Sequence, residues 1–227
     1  MEIVAENISR IFFRRSGESN FFHAVRETNF EIGPGCVTEI IGRSGSGKTT
    51  LVNMLCGLLT PSEGKVLIDG KNLYEMDDDE RSLFRNRHFG IIPQGQTGLA
   101  SLTVMENVLL PLAMYGRSAG QDAYAGQLLE ELDMSHLADV YANELSGGEL
   151  RRMSIARALA GRPEVIVADE PTGDLDDETT GAVLKRFRRE ADRGAAVLIV
   201  THDSEVRQYA DRIFHMDKGE LLPCSEK

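Results

Sequence analysis

The chain is short of cysteine, of basic charge and of long apolar runs, and each shortage narrows what it can be. Its three cysteines (Cys36, Cys56, Cys224) show no paired spacing and no CxxC. They read as reduced thiols in a cytosolic protein, and their spacing argues against a metal or redox role. Lys+Arg number 25 against 36 Asp+Glu, a formal net charge of -11 over 227 residues. Such a balance argues against a nucleic-acid partner, whose phosphates need clustered bases, and against docking by general attraction to anionic lipid. The longest apolar run, Ala195 to Val200, has the length of a buried strand. It falls well short of the ~18 residues that a membrane-spanning helix needs, so no direct membrane insertion is expected. Met1-Glu2-Ile3-Val4-Ala5-Glu6 lacks a basic region followed by an apolar one, so no secretory signal is expected either. There is no repeat and no low-complexity tract.

What is present is ordinary globular composition, 41% hydrophobic and 27% charged, in a length that suits one α/β domain. Short apolar runs alternate with amphipathic stretches, the pattern of a layered α/β fold. Strands are expected at Ile3–Ile8, Ala24–Ile32, Val37–Ile41 and Lys65–Asp69, with a polar loop or hairpin tip at Arg14–Asn20. A helix is expected from near Gly47 to Gly57. Asp77-Asp78-Asp79-Glu80 ahead of Arg85 and Arg87 places acids in a first helical turn and bases in the last, as the macrodipole favours. From about Gln94 to Leu145 the pattern changes: Thr103–Tyr115 and Gln121–Met134 carry helical periodicity without interleaved strands. Strands are expected again at Val165–Ala168, Ala196–Val200 and Ile213–Met216, with helices at Glu178–Arg193 and Asp203–Tyr209. Asp217-Lys218-Gly219-Glu220 reads as a tight turn into a short final strand.

Gly42-Arg43-Ser44-Gly45-Ser46-Gly47-Lys48-Thr49 carries the strongest chemistry. It matches GxxxxGK[ST] between a β-type run and a helical one. Its glycines let backbone N–H groups wrap a phosphate chain, and the following helix adds positive dipole. Lys48 supplies a cation for the β- and γ-phosphates, and Thr49 a hydroxyl for Mg²⁺. Val165-Ile166-Val167-Ala168 ends in Asp169-Glu170. A buried strand ending so puts two carboxylates at the sheet edge where α/β folds bind ligands: Asp169 for Mg²⁺, Glu170 for the attacking water. Taken alone, a strand running into a solvated acidic turn reads the same way. Leu145-Ser146-Gly147-Gly148-Glu149 opens an amphipathic helix, and Ser146 alone could be a plain N-cap. It stands 98 residues after Lys48 and 23 before Asp169.

With these motifs in this order the whole chain resembles the nucleotide-binding subunit of an ATP-binding cassette (ABC) transporter. The resemblance implies a P-loop NTPase core with an antiparallel β subdomain and an inserted α-helical subdomain. On it, residues 1–93 and 163–227 form the core and about 94–162 the helical insert. It implies ATP and Mg²⁺ as cofactors, with Gly42, Ser44, Gly45, Ser46, Gly47, Lys48, Thr49 and Thr50 about the phosphates. Ser146, Gly147 and Gly148 fall on the family signature, which implies a homodimer with ATP sandwiched between two chains. His202, in Thr201-His202-Asp203, falls on the switch histidine that contacts the γ-phosphate. Asp176, in Gly173-Asp174-Leu175-Asp176, falls on the segment crossing the dimer interface. Gln94 falls on the glutamine that reaches Mg²⁺ and the attacking water. Phe12 falls where the family stacks an aromatic ring on adenine; as a bare residue it fits a core position equally well.

Three segments resemble a narrower subgroup: Leu51-Val52-Asn53-Met54-Leu55-Cys56-Gly57-Leu58, Leu102–Leu112 and Pro171–Asp176. It contains the lipoprotein-releasing, macrolide-exporting and antimicrobial-peptide-exporting ATPases and a cell-division ATPase. The implied role is to energise a separate integral-membrane permease in export or mechanotransmission, from the cytoplasmic face of the cell membrane. An importer ATPase for a small solute would share every core motif. An ABC protein of DNA repair or translation fits poorly, given one cassette, an insert of about fifty residues and the acidic charge. A P-loop kinase or GTPase would leave the signature and His202 without a task. Two departures stand out: Glu149 where the signature usually has Gln, and Pro93-Gln94-Gly95-Gln96 where aromatic residues usually flank the glutamine.

Overall fold

The computed structural model describes residues 1–13, 21–95 and 97–224; the expected polar loop at 14–20 and Gln96 lie outside them. Two long strands, β1 (Ile3–Phe13) and β2 (Phe21–Ile32), lead to β3 (Val37–Ile41), which feeds α1 (Lys48–Leu55). Then come β4 (Glu63–Ile68), β5 (Lys71–Asn72), α2 (Asp78–His88) and β6 (Phe89–Ile92). Three helices follow: α3 (Val104–Ala113), α4 (Asp122–Glu131) and α5 (Gly147–Leu159). The chain continues through β7 (Val165–Asp169), α6 (Asp177–Asp192), β8 (Ala196–Thr201), a 3₁₀ turn at Ser204–Gln208, β9 (Arg212–Asp217) and β10 (Glu220–Pro223).

Two sheets result. One has the order β10-β9-β3-β8-β7-β6, parallel except for β10; the other is antiparallel, β2-β1-β4-β5. The inner strands β7 and β8 read as near-continuous apolar runs because both faces are covered. Side-chain alternation splits them between two cores. Ile166, Ala168, Val197 and Ile199 pack with α3, α4, α5 and α6; Val165, Val167, Leu198 and Val200 pack with α1 and the antiparallel sheet. Helix starts follow local chemistry: Asp77 with Glu80, Thr103 with Glu106 and Ser146 with Glu149 each form a capping box.

The differences from expectation have local causes. β1 and β2 run several residues beyond Ile8 and before Ala24, and register shifts between Ala5 and Ile11 break the alternation that would have revealed them. The strand β6 was not foreseen: four residues between a charged helix and Pro93 are too few for a period. In place of an α-helix over Asp203–Tyr209 there is a five-residue 3₁₀ turn, Ser204–Gln208, capped by the Asp203 carboxylate accepting from the Glu205 N–H. The last turn is as expected, Lys218-Gly219 with both φ positive, joining paired Asp217 and Glu220.

One buried group is out of keeping with its strand. Glu39, at the centre of β3, is fully buried, and neither carboxylate oxygen has a hydrogen-bond partner among the described residues. Burial raises its pKa from 4.5 to about 7, with Arg207 opposing and Asp203 adding to the shift. The native state therefore holds a proton that the unfolded chain has released between those two values, and stability falls as pH rises through that window. Glu39→Gln removes this dependence. We expect it to be more stable than wild type by up to about 3 kcal/mol at pH 8, with the gap closing toward pH 5, in denaturant titrations at both pH values.

Candidate functional site

The phosphate loop lies between β3 and α1, at the C-terminal edge of the parallel sheet. Gly47 has φ 112, and a Cβ there would sit 2.1 Å from the Ala24 carbonyl oxygen. A Cβ on Gly42 would meet the Met216 carbonyl at 2.3 Å. Only glycine allows the loop to lie this close to β2 and β9. The loop is clamped from behind, with the Gly219 N–H donating to the Ser46 carbonyl at 2.9 Å and Arg26 N–H to Gly219 at 2.8 Å. Lys48 is nearly buried, and its ammonium donates to the Gly42 and Arg43 carbonyls at 2.7 and 3.0 Å. The Ser46 hydroxyl is buried with no partner among the described residues.

The Thr49 hydroxyl donates to Asp169 Oδ2 at 2.6 Å, joining α1 to the end of β7. Burial pushes the Asp169 carboxyl up; the Thr49 hydrogen bond holds it down, and the Glu170 charge adds to the rise. Glu170 follows with φ 51, left-handed for a residue bearing a Cβ, fixed by its N–H donating to the Val200 carbonyl at 2.7 Å. That backbone turn aims its carboxylate at β8. The Thr201 hydroxyl donates to Glu170 Oε2 and His202 Nδ1 meets Oε1, both at 3.0 Å. The His202 ring is 81% exposed and the Glu170 side chain 16%.

These groups border one open cleft of about 990 Å³. The loop lines it with Gly42, Ser44, Gly45, Gly47, Lys48, Thr49 and Thr50. Asp169, Glu170, His202, Gln94 and Phe12 line it as well. Ser146, Gly147, Gly148 and Asp176 do not line it. The Asp176 carboxylate instead caps α6, accepting from the Thr179 N–H and hydroxyl at 2.9 Å each, which lowers its pKa. Ser146 is exposed at the start of α5. Its hydroxyl and its N–H both donate to Glu149 Oε2 at 2.7 Å, and these two bonds lower the Glu149 pKa. Glu149 therefore completes a capping box, and as a carboxylate it suits the helix dipole.

Phe22 and Arg151 are among the residues bordering the cleft that the sequence does not mark as site residues. Phe22 stands across the hairpin from Phe12, ring centroids 5.7 Å apart and stacked. The bulged register of β1 hid that pairing. Arg151, on α5, also lines the cleft; on a helix with four other polar or charged residues nothing local marks it as buried.

The sequence family described as ABC transporter matches residues 25–173. The chain belongs to that family. The cassette is 42% identical over 184 residues to the lipoprotein-releasing system ATP-binding protein LolD of Chromohalobacter salexigens, covering 80% of this chain and 78% of that one. It is 40% identical over 227 residues to the macrolide export ATP-binding/permease protein MacB of Neisseria meningitidis, covering 99% of this chain but 35% of that longer protein. Among solved structures, the ABC transporter cassette MJ0796 as a dimer matches with a TM-score of 0.89 at 35% identity, over 96% of each chain. The same cassette in a post-hydrolysis state bound to ADP and Pi matches with a TM-score of 0.89 at 31% identity, over 99% and 100%. The present chain is thus an ATP-binding, ATP-hydrolysing subunit of an ABC transporter with a P-loop NTPase core. Among the described residues no helix is long and apolar enough to cross a membrane.

Proposed function

We propose that two copies of this cassette clamp two ATP molecules and, through closure and hydrolysis, drive a separate membrane permease of the export or mechanotransmission type. The observation that carries this is the convergence of Lys48, the Thr49–Asp169 pair and the Glu170–His202 pair on one cleft. In this reading Gly42, Ser44, Gly45, Ser46, Gly47 and Thr50 surround the phosphates, Lys48 pairs with the β- and γ-oxygens, and Phe12 stacks on the base. Glu170 accepts a proton from the attacking water, with Thr201 and His202 orienting its carboxylate; His202 and Gln94 then face the γ-phosphate. Phosphoryl transfer needs little covalent help, so these groups act by position and charge.

A divalent cation fits the same edge. Thr49 and Asp169 bring two hard oxygen donors together there, with Gln94 bordering the same cleft. Mg²⁺, when bound, would neutralise charge on the β- and γ-phosphates. Ser146, Gly147 and Gly148 lie outside the cleft of their own chain, which supports their facing the γ-phosphate of a second copy. Asp176 would reach the same junction through its segment rather than its carboxylate. Residues 1–93 and 163–227 would form the core and about 94–162 the helical subdomain. The permease would hold the protein at the cytoplasmic face of the membrane, and the net charge of -11 supports no nucleic-acid role.

Export is favoured over import by the lipoprotein-releasing and macrolide-export relatives. Co-purification from detergent-solubilised membranes should recover a permease with a large extracytoplasmic domain; recovery of a solute-importer permease would replace this reading. The sandwich itself is tested by Ser146→Arg. ATP affinity of the monomer should stay within about threefold while ATP-dependent dimerisation, followed by gel filtration, is lost. Equal loss of monomer affinity would place Ser146 in its own chain's site.

A further inference from the structure

The helix that begins at Ser146 carries three arginines. Arg152 donates to the Leu132 and Asp133 carbonyls and so faces α4. Arg151 and Arg157 face the other way, toward the segment that holds Gln94. Arg151 is 3% exposed, and its Nη1 donates to the Pro93 carbonyl at 3.0 Å, one residue before Gln94. Arg157 Nη2 donates to the Thr97 hydroxyl at 2.6 Å, and Ser154 Oγ lies 3.3 Å from the same hydroxyl. The Gln94 segment is thereby fastened to α5 on both sides of the glutamine.

Arg151 has a second property that Arg157 lacks. It borders the cleft, beside Gln94, Asp169 and Glu170. Its Nε is buried and has no hydrogen-bond partner among the described residues. Burial disfavours its charge, and Asp174, Asp169 and Glu170 in turn favour it. Lys48, the other cation deep in the cleft, has its ammonium on the carbonyls of its own loop. Arg151 thus adds, from the α5 wall, a second buried positive charge to that of Lys48, which also favours the ionised form of Asp169. A guanidinium is kept buried where its fork and its charge are both used.

We infer that Arg151 is a positioning residue for ATP hydrolysis, holding Gln94 at the acidic edge of the cleft and making the Gln94 segment move with the helix that presents Ser146. This rests on the ATPase reading above. Each chain's Gln94 then takes its place at one nucleotide according to how its own Ser146 is seated on the other. One rigid helix links the two half-sites.

The test compares Arg151→Lys, Arg151→Gln and Arg151→Met by steady-state ATP hydrolysis, ATP binding and thermal melting. Among the described residues the Arg151 hydrogen bond goes to Pro93 and not to the phosphate loop or Phe12, so KM and Kd for ATP should stay within about threefold in all three. A glutamine loop displaced by about an ångström should lower kcat by about 10- to 100-fold in Arg151→Gln and Arg151→Met. Lysine keeps the charge and one donor, and should hold kcat within about fivefold of wild type. Amide hydrogen exchange at Gly95 and Thr97 should quicken in the Gln and Met variants only. Wild-type kcat in all three overturns the inference while leaving the ATPase reading intact. So does a loss of kcat that tracks melting temperature equally in Lys, Gln and Met, which is the mark of a packing role. Should Arg151→Met fail to fold, the Lys and Gln variants decide: a kcat gap between them of tenfold or more supports the inference, and equal kcat overturns it.

Discussion

Glu170→Gln should lower ATP turnover by about 10²- to 10⁴-fold, the range for a lost general base, and should leave ATP binding intact. The substitution changes almost nothing else. The Thr201 hydroxyl can still donate to a carboxamide oxygen at the position of Oε2, and the Glu170 N–H bond to Val200 is unaffected. What disappears is the basic carboxylate, with a non-basic NH2 in place of the Oε1 that faces His202. If hydrolysis is what reopens the clamp, the ATP-bound dimer must accumulate in this variant. Phosphate release assays and gel filtration with ATP measure the two halves of the expectation. Undiminished turnover would remove Glu170 from its role.

Lys48→Ala should weaken ATP binding by about 100-fold or more, because a charge-assisted contact to phosphate and the shape of the loop go together. In the structure the ammonium ties the Gly42 and Arg43 carbonyls at 2.7 and 3.0 Å, so it folds the loop's first residues back toward the helix. Alanine removes the cation and both ties. Titration with a fluorescent ATP analogue reads the loss. Unchanged affinity would mean that the Gly42–Thr49 loop does not hold the polyphosphate.

Much of this site could be read from the sequence because its parts are local. The phosphate loop is eight consecutive residues, the acid pair ends an apolar strand, and Ser146 announces itself as a helix cap. Each is a short pattern with a short-range cause. The parts that escaped depend on pairing at a distance. Phe22 reaches the cleft only through a hairpin whose register is shifted by bulges, and Arg151 only because α5 lies against the Pro93 carbonyl. Asp176 illustrates the reverse: the motif was plain, but its carboxylate is occupied by Thr179 at the start of α6. The fold followed the same division. The buried parallel strands and the capped helices stood out, while β6 and the outer arms of β1 and β2 did not, since four residues and an interrupted alternation carry too little periodicity.

The two cores have one further consequence. Val108, Leu112, Leu128 and Leu129, from α3 and α4, belong to the same apolar cluster as Ile166 and Val197 of the parallel sheet and Phe187 of α6. The apolar cluster runs without a break from the helices after Gln94 to β7, which bears Asp169, and Arg186 of α6 adds polar ties to Glu131 and Tyr124 of α4. The cluster should melt as a single cooperative unit, and a change that loosens α4 should be felt as lost protection in β7, a helix and a catalytic strand sharing one stability.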